Sequence, residues 1–432
     1  MKVTNIYGQI FDSIRVRGAE IFSDKKLIKT VEKIIDDVVR YGDKAVLKYT
    51  RKFDGTPKGF SVMVSDEEIK ESIEIVEGSR ELIDVANSFL KASDRIYKFH
   101  KAQLEYFNLR DKWFIQTNGI VGQVVKPVGS VCVYVPGGRA VYPSTLIMNV
   151  IPAKVAGVDK IYVSTPSRNG KVSPILIYLS NKLGVNGIYK VGGAVSVASF
   201  AFGTQSIPKV DMIVGPGNKY FVAAKKVLSG VVGIDMLPGP SEIAVVADHG
   251  NPYYIALDLL SQLEHDPDSS GYFISIDENL ISSVKDNIRS IVNRIDKWVL
   301  KSSMNNLLFI LAKGVEECFE IVNMISPEHL EVIVKGIDIN NIDRFVRNAG
   351  TVLIGESTPV VLADYIAGTN HVLPTGKTAR FSSPLGVYNF VKFYNVVQWS
   401  SENLEYDKND ILRLAKYENL EVHALSVEKR SN

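Results

Sequence analysis

Residues 129–164 read GSVCVYVPGGRAVYPSTLIMNVIPAKVAGVDKIYVS, and this stretch predicts the architecture of the chain. It opens with an apolar, β-branched run at 129–135 and passes through a glycine turn. A helical pattern over 144–157 follows, and then a second apolar run at 160–166. A strand, a helix and a strand in this order place both strands in one parallel sheet.

The same alternation continues toward the C-terminus in two series. Further strand-like runs occur at 187–193, 210–216, 241–248, 271–276, 306–312, 330–334 and 351–356. The helical patterns between them cover 173–184, 194–202, 218–229, 252–265, 279–297, 314–325 and 339–348. We therefore expect an α/β fold with two Rossmann-like, doubly wound units. Residues 1–25 and those beyond about 385 have the pattern of arms rather than of cores.

The first hundred residues are helical by pattern. Ser23 or Asp24 can cap a helix that ends at Gly42, and Ser65 with Glu68 forms a capping box at the start of another. The first of these helices has one apolar stripe, made of Leu27, Val31, Ile34, Ile35 and Val38.

The composition excludes several classes of protein. Net charge is +2 with lysines spread along the chain, whereas a nucleic-acid-binding protein needs a concentrated basic face. The longest apolar runs, such as 307–312, are far below the ~20 residues of a membrane span. Two cysteines are too few for a disulfide framework, and Cys132 lies inside an apolar strand. Since no apolar signal core follows Met1, we expect a cytoplasmic protein.

Four glycine loops follow or join the predicted strands, at 135–140, 191–194, 214–218 and 237–242. Such loops bind ligands at the carboxyl ends of parallel strands. They also occur simply because tight turns need glycine, and the chain has no G-x-G-x-x-G fingerprint of a dinucleotide site. The loops alone support two explanations about equally: they bind a nucleotide cofactor, or they are only structural turns.

The run LLSQLEHDPD at 259–268 predicts half of a metal site. Gln262 and His265 stand three apart, so a helix projects them from one face, whereas Glu264 points in another direction. Asp364 and His423 are the best candidates to complete the set, because zinc accepts imidazole nitrogen and carboxylate oxygen. The alternative is that Gln262 belongs to a polar helix face and His423 to the surface.

The adjacent pair Glu328-His329 follows Pro327 and precedes the apolar run at 330–334. A neutral imidazole can take a proton at working pH, and such base catalysis accelerates a reaction ~10²–10⁴-fold. Glu328 could activate a water. A carboxylate that caps a turn is an equally good explanation from the sequence alone.

With these residues identified, the chain resembles the histidinol dehydrogenases almost from end to end. The similar segments, in the same order, lie at 135–158, 214–226, 233–248, 259–266, 326–331, 364–385 and 417–424. Several ordered motifs of this length are highly specific, whereas a single glycine loop is not.

The resemblance implies a zinc-dependent, four-electron oxidation of L-histidinol to L-histidine through bound histidinal with two NAD, the last step of histidine biosynthesis. The implied zinc ligands, for one ion per subunit, are Gln262, His265, Asp364 and His423. The implied acid–base pair is Glu328 and His329. The implied substrate contacts are Ser241, His329, His371 and Glu418 together with the four zinc ligands. The implied NAD contacts are Tyr134 and Asn218. Val195 stands where the family commonly has a glutamine that contacts NAD, so that contact is in doubt.

The resemblance also implies a homodimer with shared active sites, in which His423 and Glu418 enter the neighbour's site. The expected division assigns 1–25 to an N-terminal arm and 385–432 to a C-terminal arm. It assigns 26–134 with 240–384 to a first α/β domain that carries the metal and acid–base site. Residues 135–239 form a second domain with the glycine loops for NAD.

Three other functions stay open at this stage. A related NAD-linked dehydrogenase could oxidise another small alcohol, although His371 and Glu418 favour histidinol. A zinc hydrolase could use Glu328 to activate water, although no H-E-x-x-H motif is present. A metal-binding protein without catalysis is the third.

Overall fold

The computed structural model describes residues 24–109, 111–137, 141–295 and 297–430. Within these ranges the chain forms two five-stranded sheets and one three-stranded sheet. The predicted α/β fold with two parallel, doubly wound units is confirmed. The predicted N-terminal arm lies outside the described residues apart from Asp24 and Lys25. Among the residues that the structure describes, no helix is both long enough and apolar enough to span a membrane.

Four helices and a β-hairpin precede the first parallel sheet. They are α1 (Lys25–Tyr41), α2 (Asp43–Asp54), α3 (Asp66–Glu77), α4 (Arg80–Tyr106), β1 (Lys112–Gln116) and β2 (Ile120–Pro127). Asp24 caps α1 by accepting from two backbone amides, and the predicted apolar stripe of this helix is buried. The predicted capping box forms at the start of α3. Local sequence therefore determines where these helices begin.

The first parallel sheet takes its strands from the middle of the chain. Its elements are β3 (Ser130–Tyr134), α5 (Pro143–Ala156), β4 (Lys160–Ser164), α6 (Pro174–Lys182), β5 (Gly187–Tyr189), α7 (Gly193–Phe202), β6 (Met212–Val214), α8 (Lys219–Leu228) and β7 (Gly233–Ile234). The strand order is β5-β4-β3-β6-β7. Val131 and Val133 face one hydrophobic core while Cys132 and Tyr134 face the other. Burial on both faces explains why β3 is an unbroken apolar run.

The second parallel sheet repeats this arrangement. Its elements are β8 (Glu242–Ala247), α9 (Pro252–Leu263), β9 (Ser270–Ser275), α10 (Glu278–Arg294), α11 (Trp298–Ser303), β10 (Leu307–Leu311), α12 (Val315–Ile325), β11 (His329–Ile333), β12 (Thr351–Ile354) and α13 (Val361–Tyr365). The strand order is β10-β9-β8-β11-β12. Counted along the chain within each sheet, this is the same order as in the first sheet: third, second, first, fourth and fifth strand. In both sheets the first and fourth strands are neighbours, and this is the point where the strand order reverses.

The N-terminal helices pack against the first parallel sheet. Residues of α1 share a core with Cys132 and Tyr134, and residues of α4 share the opposite core with Val131 and Val133. β3 lies at the centre of this sheet, between β4 and β6. This differs from the expected grouping of 26–134 with 240–384, because β3 hydrogen-bonds to strands that follow it and not to the second sheet.

The C-terminal segment returns to the β-hairpin. β13 (Val391–Gln398) pairs antiparallel with β2, and α14 (Ser401–Tyr417) and α15 (Glu421–Glu428) follow. Sequence analysis assigned this segment to an arm and missed the strand. The resulting sheet leaves large apolar side chains exposed, among them Trp113, Phe114, Ile115, Phe393, Tyr394 and Val397.

The predicted helix over 339–348 does not form. The segment contains only a 3₁₀ turn, Ile342–Arg344. Asp338 accepts from the amide of Asn340, and Asn341 donates to the carbonyl of Gly336. These local bonds from Asp and Asn side chains compete with helical hydrogen bonds, so the segment folds as turns.

Candidate active site

A cleft of about 340 Å³ is lined by residues of both parallel sheets. It brings together seven of the side chains that the sequence analysis names as candidate site residues. They are Ser241, Gln262, His265, Glu328, His329, Asp364 and His371.

The two sheets face the cleft with opposite ends of their strands. Pro136 follows β3 and Gly215–Gly217 follow β6, so the first sheet contributes its carboxyl edge. Ser241 precedes β8 and His329 begins β11, so the second sheet contributes its amino edge. Carboxyl ends are the usual place for ligands in such sheets, and only the first sheet follows that rule.

Helix α9 carries Gln262 to the cleft. It begins at an Asn251 cap with Pro252 in its first turn, and it runs back to the amino edge of the second sheet. Gln262 lies in its last turn and is 1 % exposed, and His265 follows the helix end. The amide nitrogen Nε2 of Gln262 donates to Asp364 Oδ2 at 3.3 Å.

The Asp364 carboxylate lies between Gln262 and His329. Its Oδ1 is 3.4 Å from His329 Nε2. Burial opposes ionisation, but the contact with His329, the charge of that ring and the nearby His371 and His265 hold the pKa of Asp364 below its ordinary value. Asp364 is therefore an anion in this site, as a metal ligand or an imidazole partner must be.

His329 is 3 % exposed, and neither of its ring nitrogens has a hydrogen-bond partner of regular geometry among the described residues. Its Nδ1 lies 3.8 Å from Glu328 Oε2. Burial lowers the pKa of this imidazole, but the charges of Glu328 and Asp364 outweigh it, and the pKa is raised. A buried imidazole without satisfied nitrogens is costly unless a ligand completes its bonds.

Glu328 lies at the start of β11 and is 8 % exposed. Its Oε2 accepts from the backbone amide of Glu242 at 2.9 Å. Burial raises the pKa of this carboxyl to about 7, against the opposing charge of His329. A carboxyl that exchanges its proton near neutral pH is suited to general acid–base work.

His371 is fixed as a neutral donor–acceptor ring. Its Nδ1 lies 2.9 Å from the backbone carbonyl oxygen of Asp364, so Nδ1 carries the proton. Burial lowers the pKa of this imidazole. Its Nε2 is therefore available to accept a hydrogen bond from a ligand.

The donor set of the cleft fits part of a zinc site. An amide oxygen, an imidazole and a carboxylate come from Gln262, His265 and Asp364, and these are ligand types that zinc accepts. A closed tetrahedral site needs four ligands. No cluster of three or more His, Cys, Asp and Glu side chains that could hold a metal occurs within the described ranges. Gln262, His265 and Asp364 therefore line one cleft without forming a complete metal cluster by themselves.

The remaining two candidates lie elsewhere in this chain. His423 lies on α15 and Glu418 directly after α14, and both are exposed and outside the cleft lining. The structure of one chain does not bring them to Gln262 and His265.

The candidate NAD contacts lie around the carboxyl edge of the first sheet. Tyr134 is buried, stacks on Phe221 with ring centroids 3.9 Å apart, and accepts from the amide of Gly193 at 3.0 Å. Asn218 caps α8 by accepting from the amides of Tyr220 and Phe221. Val195 is buried in α7, within the hydrophobic core. Of these side chains, only Asn218 is exposed to a ligand.

Sequence analysis missed several residues that line the cleft. Tyr142 and Tyr365 present aromatic rings and Thr375 contributes a hydroxyl group, while Asp235 borders the cleft with its carboxylate buried. All four lie inside the segments 135–158, 233–248 and 364–385, which carry the family resemblance. Proximity to those motifs was the available signal, since neither charge nor periodicity marks them.

Comparisons with known proteins show which family this chain resembles. The family model for histidinol dehydrogenase matches residues 19–431. A histidinol dehydrogenase of Caldanaerobacter subterraneus subsp. tengcongensis is 44% identical over 430 residues, covering 98% of this chain and 96% of the relative. One of Lactococcus lactis subsp. lactis is 40% identical over 429 residues, again covering 98% of this chain and 96% of the relative. The crystal structure of histidinol dehydrogenase from Elizabethkingia anophelis superposes with a TM-score of 0.89 at 31% identity. The superposition covers 99% of this chain and 96% of that chain.

Proposed function

This chain belongs to the histidinol dehydrogenase family and is an oxidoreductase, and from that premise we propose that it oxidises L-histidinol to L-histidine in histidine biosynthesis. The proposed reaction consumes one water and two NAD for each histidinol and releases two NADH and three protons. Histidinal is the intermediate, and it stays bound between the two oxidations.

One observation carries the proposal. His329 is buried in the cleft between two carboxyl groups, with Glu328 Oε2 3.8 Å from Nδ1 and Asp364 Oδ1 3.4 Å from Nε2. A proton acceptor, a second acid–base group and an anionic ligand thus share one site. These are the groups that successive oxidation of an alcohol and an aldehyde requires.

We assign the metal-binding role to Gln262, His265 and Asp364, with His423 of a second copy as the fourth ligand. When bound, zinc would hold the amino and imidazole nitrogens of histidinol and polarise its oxygen. The buried Gln262 and the ionised Asp364 orient this ligand set, which fixes the alcohol carbon in the cleft.

The first oxidation needs a base for the hydroxyl proton. His329 accepts that proton, and NAD, when bound, would accept the hydride from the alcohol carbon. Glu328 and Asp364 stabilise the imidazolium that forms, since both raise the pKa of His329. No other atom of the substrate changes, and the aldehyde remains in the cleft.

The second oxidation needs a water to add to the aldehyde. Glu328 takes a proton from this water, because its pKa of about 7 lets it exchange protons at neutral pH. The adduct is then a hydrate anion, from which a second NAD, when bound, would accept the hydride; this leaves the carboxylic acid, which ionises. The backbone amide of Glu242 keeps Oε2 of Glu328 in place.

We assign NAD to the carboxyl edge of the first sheet. The loops after β3 and β6 flank the point where strand order reverses, which is where nucleotides bind in doubly wound sheets. Pro136 and Gly215–Gly217 line the cleft on this side, and the acid–base pair lies on the other. In this assignment the first sheet binds the cofactor, and the second sheet carries the acid–base pair.

We also propose a homodimer in which Glu418 and His423 of one copy complete the site of the other. The exposed apolar residues of the β1-β2-β13 sheet, and Tyr417, Val422 and Leu425 beside the two candidate residues, support a second copy on this face. The single chain leaves both candidate residues away from its own cleft, and a shared site would account for that.

The decisive experiment counts NADH formed per L-histidinol by absorbance, with and without a chelator. Two NADH per histidinol, with loss of activity after chelation, is the expected result. One NADH per substrate indicates a simple alcohol dehydrogenase. Activity that survives complete removal of the metal contradicts the assigned role of Gln262, His265 and Asp364.

A further inference from the structure

A buried ion pair holds the glycine loop that follows β6. The side chains of Lys225 and Asp235 are 0% and 1% exposed, and they contact each other through Nζ and Oδ1. Asp235 Oδ2 accepts from the amide of Gly215 at 2.8 Å, and Lys225 Nζ donates to the carbonyl oxygen of Gly215 at 3.1 Å. The two charges therefore satisfy both backbone polar groups of one residue.

Gly215 is held where no other residue fits. Its φ is +109°, and a Cβ at this position would lie 2.4 Å from the carbonyl oxygen of Tyr134 at the end of β3. The loop 215–218 thus lies against the end of the neighbouring strand, at the reversal point of the sheet. It lines the cleft and then continues into α8 through the Asn218 cap.

The ion pair does more than pack in the core. Two buried charges carry a desolvation cost that apolar side chains of similar volume avoid, so a buried pair is weak evidence of a role in stability. Here each charge also bonds to the Gly215 backbone, which apolar side chains cannot do. Lys225 further lies 5.5 Å from the centroid of the Phe221 ring, which stacks on Tyr134.

We propose that Lys225 and Asp235 are a positioning pair, which sets the loop 215–218 for binding of NAD. Neither residue transfers a proton or binds the substrate. The pair acts through the Gly215 backbone. Its loss therefore moves the loop and lowers the affinity for NAD, while the binding of L-histidinol stays the same. This inference rests on the proposed NAD-linked function and names residues that determine cofactor affinity.

The test is a double variant, Lys225→Met with Asp235→Leu, which replaces the charges by side chains of similar volume. Such a replacement usually preserves a fold, while the amide and carbonyl of Gly215 lose their partners. The expected result is a dissociation constant for NAD at least tenfold above the wild-type value, by calorimetric titration. The KM for L-histidinol at saturating NAD and the bound metal stay within twofold.

Lys190→Met is the matched control. Lys190 is also buried in an ion pair, with Glu68 at 2.8 Å, and neither residue lines the cleft. Lys190→Met removes a partly buried ion pair that joins α3 to the end of β5 in the same sheet, so NAD affinity should stay within twofold of wild type. If a general loss of packing were the cause, the double variant and Lys190→Met would both bind NAD less tightly. That result would contradict the positioning role.

A second variant, Asp235→Glu, keeps both charges and lengthens one side chain by a methylene. This variant should also lower the affinity for NAD without changing the KM for L-histidinol. It tests the positioning role even if the double variant does not fold. NAD binding within twofold of wild type in the folded variants would overturn the inference. Wild-type protein that binds no NAD would instead contradict the proposed function.

Discussion

His329 Nε2 lies 3.4 Å from Asp364 Oδ1, so the proposed base contacts one of the proposed metal ligands. The same carboxylate accepts from Gln262 through its other oxygen. Asp364 thereby joins the proton-transfer group to the ligand set. Changes at Asp364 should therefore alter both the pKa of His329 and the binding of metal.

The first prediction concerns this link. Asp364→Asn removes a negative charge that raises the pKa of His329, so the pKa of that imidazole should fall in the metal-free variant. Titration of the His329 ring protons by NMR measures the change. An unchanged pKa would mean that Glu328 alone controls the imidazole.

The second prediction is that His329→Gln stops the first oxidation. Glutamine keeps a polar side chain of similar size but accepts no proton at neutral pH, so kcat with L-histidinol should fall about 10²–10⁴-fold. NADH absorbance measures the rate, and calorimetric titration should show NAD affinity unchanged. A variant with wild-type kcat would remove His329 from the mechanism.

The third prediction separates the two oxidations at Glu328. Glu328→Gln cannot take a proton from water, so the variant should release one NADH quickly and the second slowly. In wild-type protein the rate with histidinal should rise as pH passes through about 7, where Glu328 ionises. A flat profile in single-turnover experiments with histidinal would exclude this carboxyl as the base.

Glu328 also makes stability depend on pH. Its pKa is raised from 4.5 to about 7 by burial, so the protonated form favours the folded state. This contribution is complete below pH 4.5 and is lost as pH rises through 7. It is worth at most about 3 kcal/mol, from ~1.4 kcal/mol per pKa unit. Glu328→Gln should therefore flatten the decline in unfolding free energy between about pH 4.5 and 7, measured by urea denaturation of the metal-free protein.

The fourth prediction tests the proposed metal ligands, with a control residue that lies between two of them in the sequence. Gln262→Ala or His265→Ala should raise the dissociation constant for zinc at least about tenfold and abolish histidinol binding, while NAD still binds. Glu264→Gln is the control, because Glu264 is exposed and bonds to Lys297 at 2.7 Å instead of facing the cleft. Metal analysis after dialysis should show full zinc in the control.

The fifth prediction tests the shared site. His329→Gln and His423→Ala should each be inactive, since one lacks the base and the other lacks a ligand donated to its neighbour. After mixed refolding, half of the dimers combine both variants, and each of these has one intact site. Activity should recover to about a quarter of wild type. Activity that stays at the level of the separate variants would place all ligands within one chain.

Much of the fold follows from sequence because its signals are local. The stripe of α1 and the capping box of α3 need only neighbouring residues, and both form as expected. The strand β3 is apolar throughout because both of its faces are buried, and this pattern is readable without tertiary information. Strands and helices of the two parallel units were predicted for this reason.

The parts that sequence missed depend on distant contacts or on competing local bonds. β13 is largely exposed and pairs with β2, which lies some 270 residues earlier, so no local pattern identifies it. The helix expected at 339–348 fails because Asp338 and Asn341 bond to nearby backbone groups. Within the site, the use of the amino edge by the second sheet also escaped sequence analysis. The usual rule for parallel sheets places ligands at the other edge.

The segment that joins β7 to β8 is also a wall of the cleft. Asp235, Met236, Pro238, Gly239 and Ser241 lie within these few residues. A rotation of one sheet relative to the other must bend this segment, and bending it reshapes the surface that a bound molecule touches. The connection between the sheets and the shape of the cleft therefore depend on the same few residues. A substitution that stiffens or shortens this link would therefore change the cleft surface without touching any of the acid–base or metal-binding candidates.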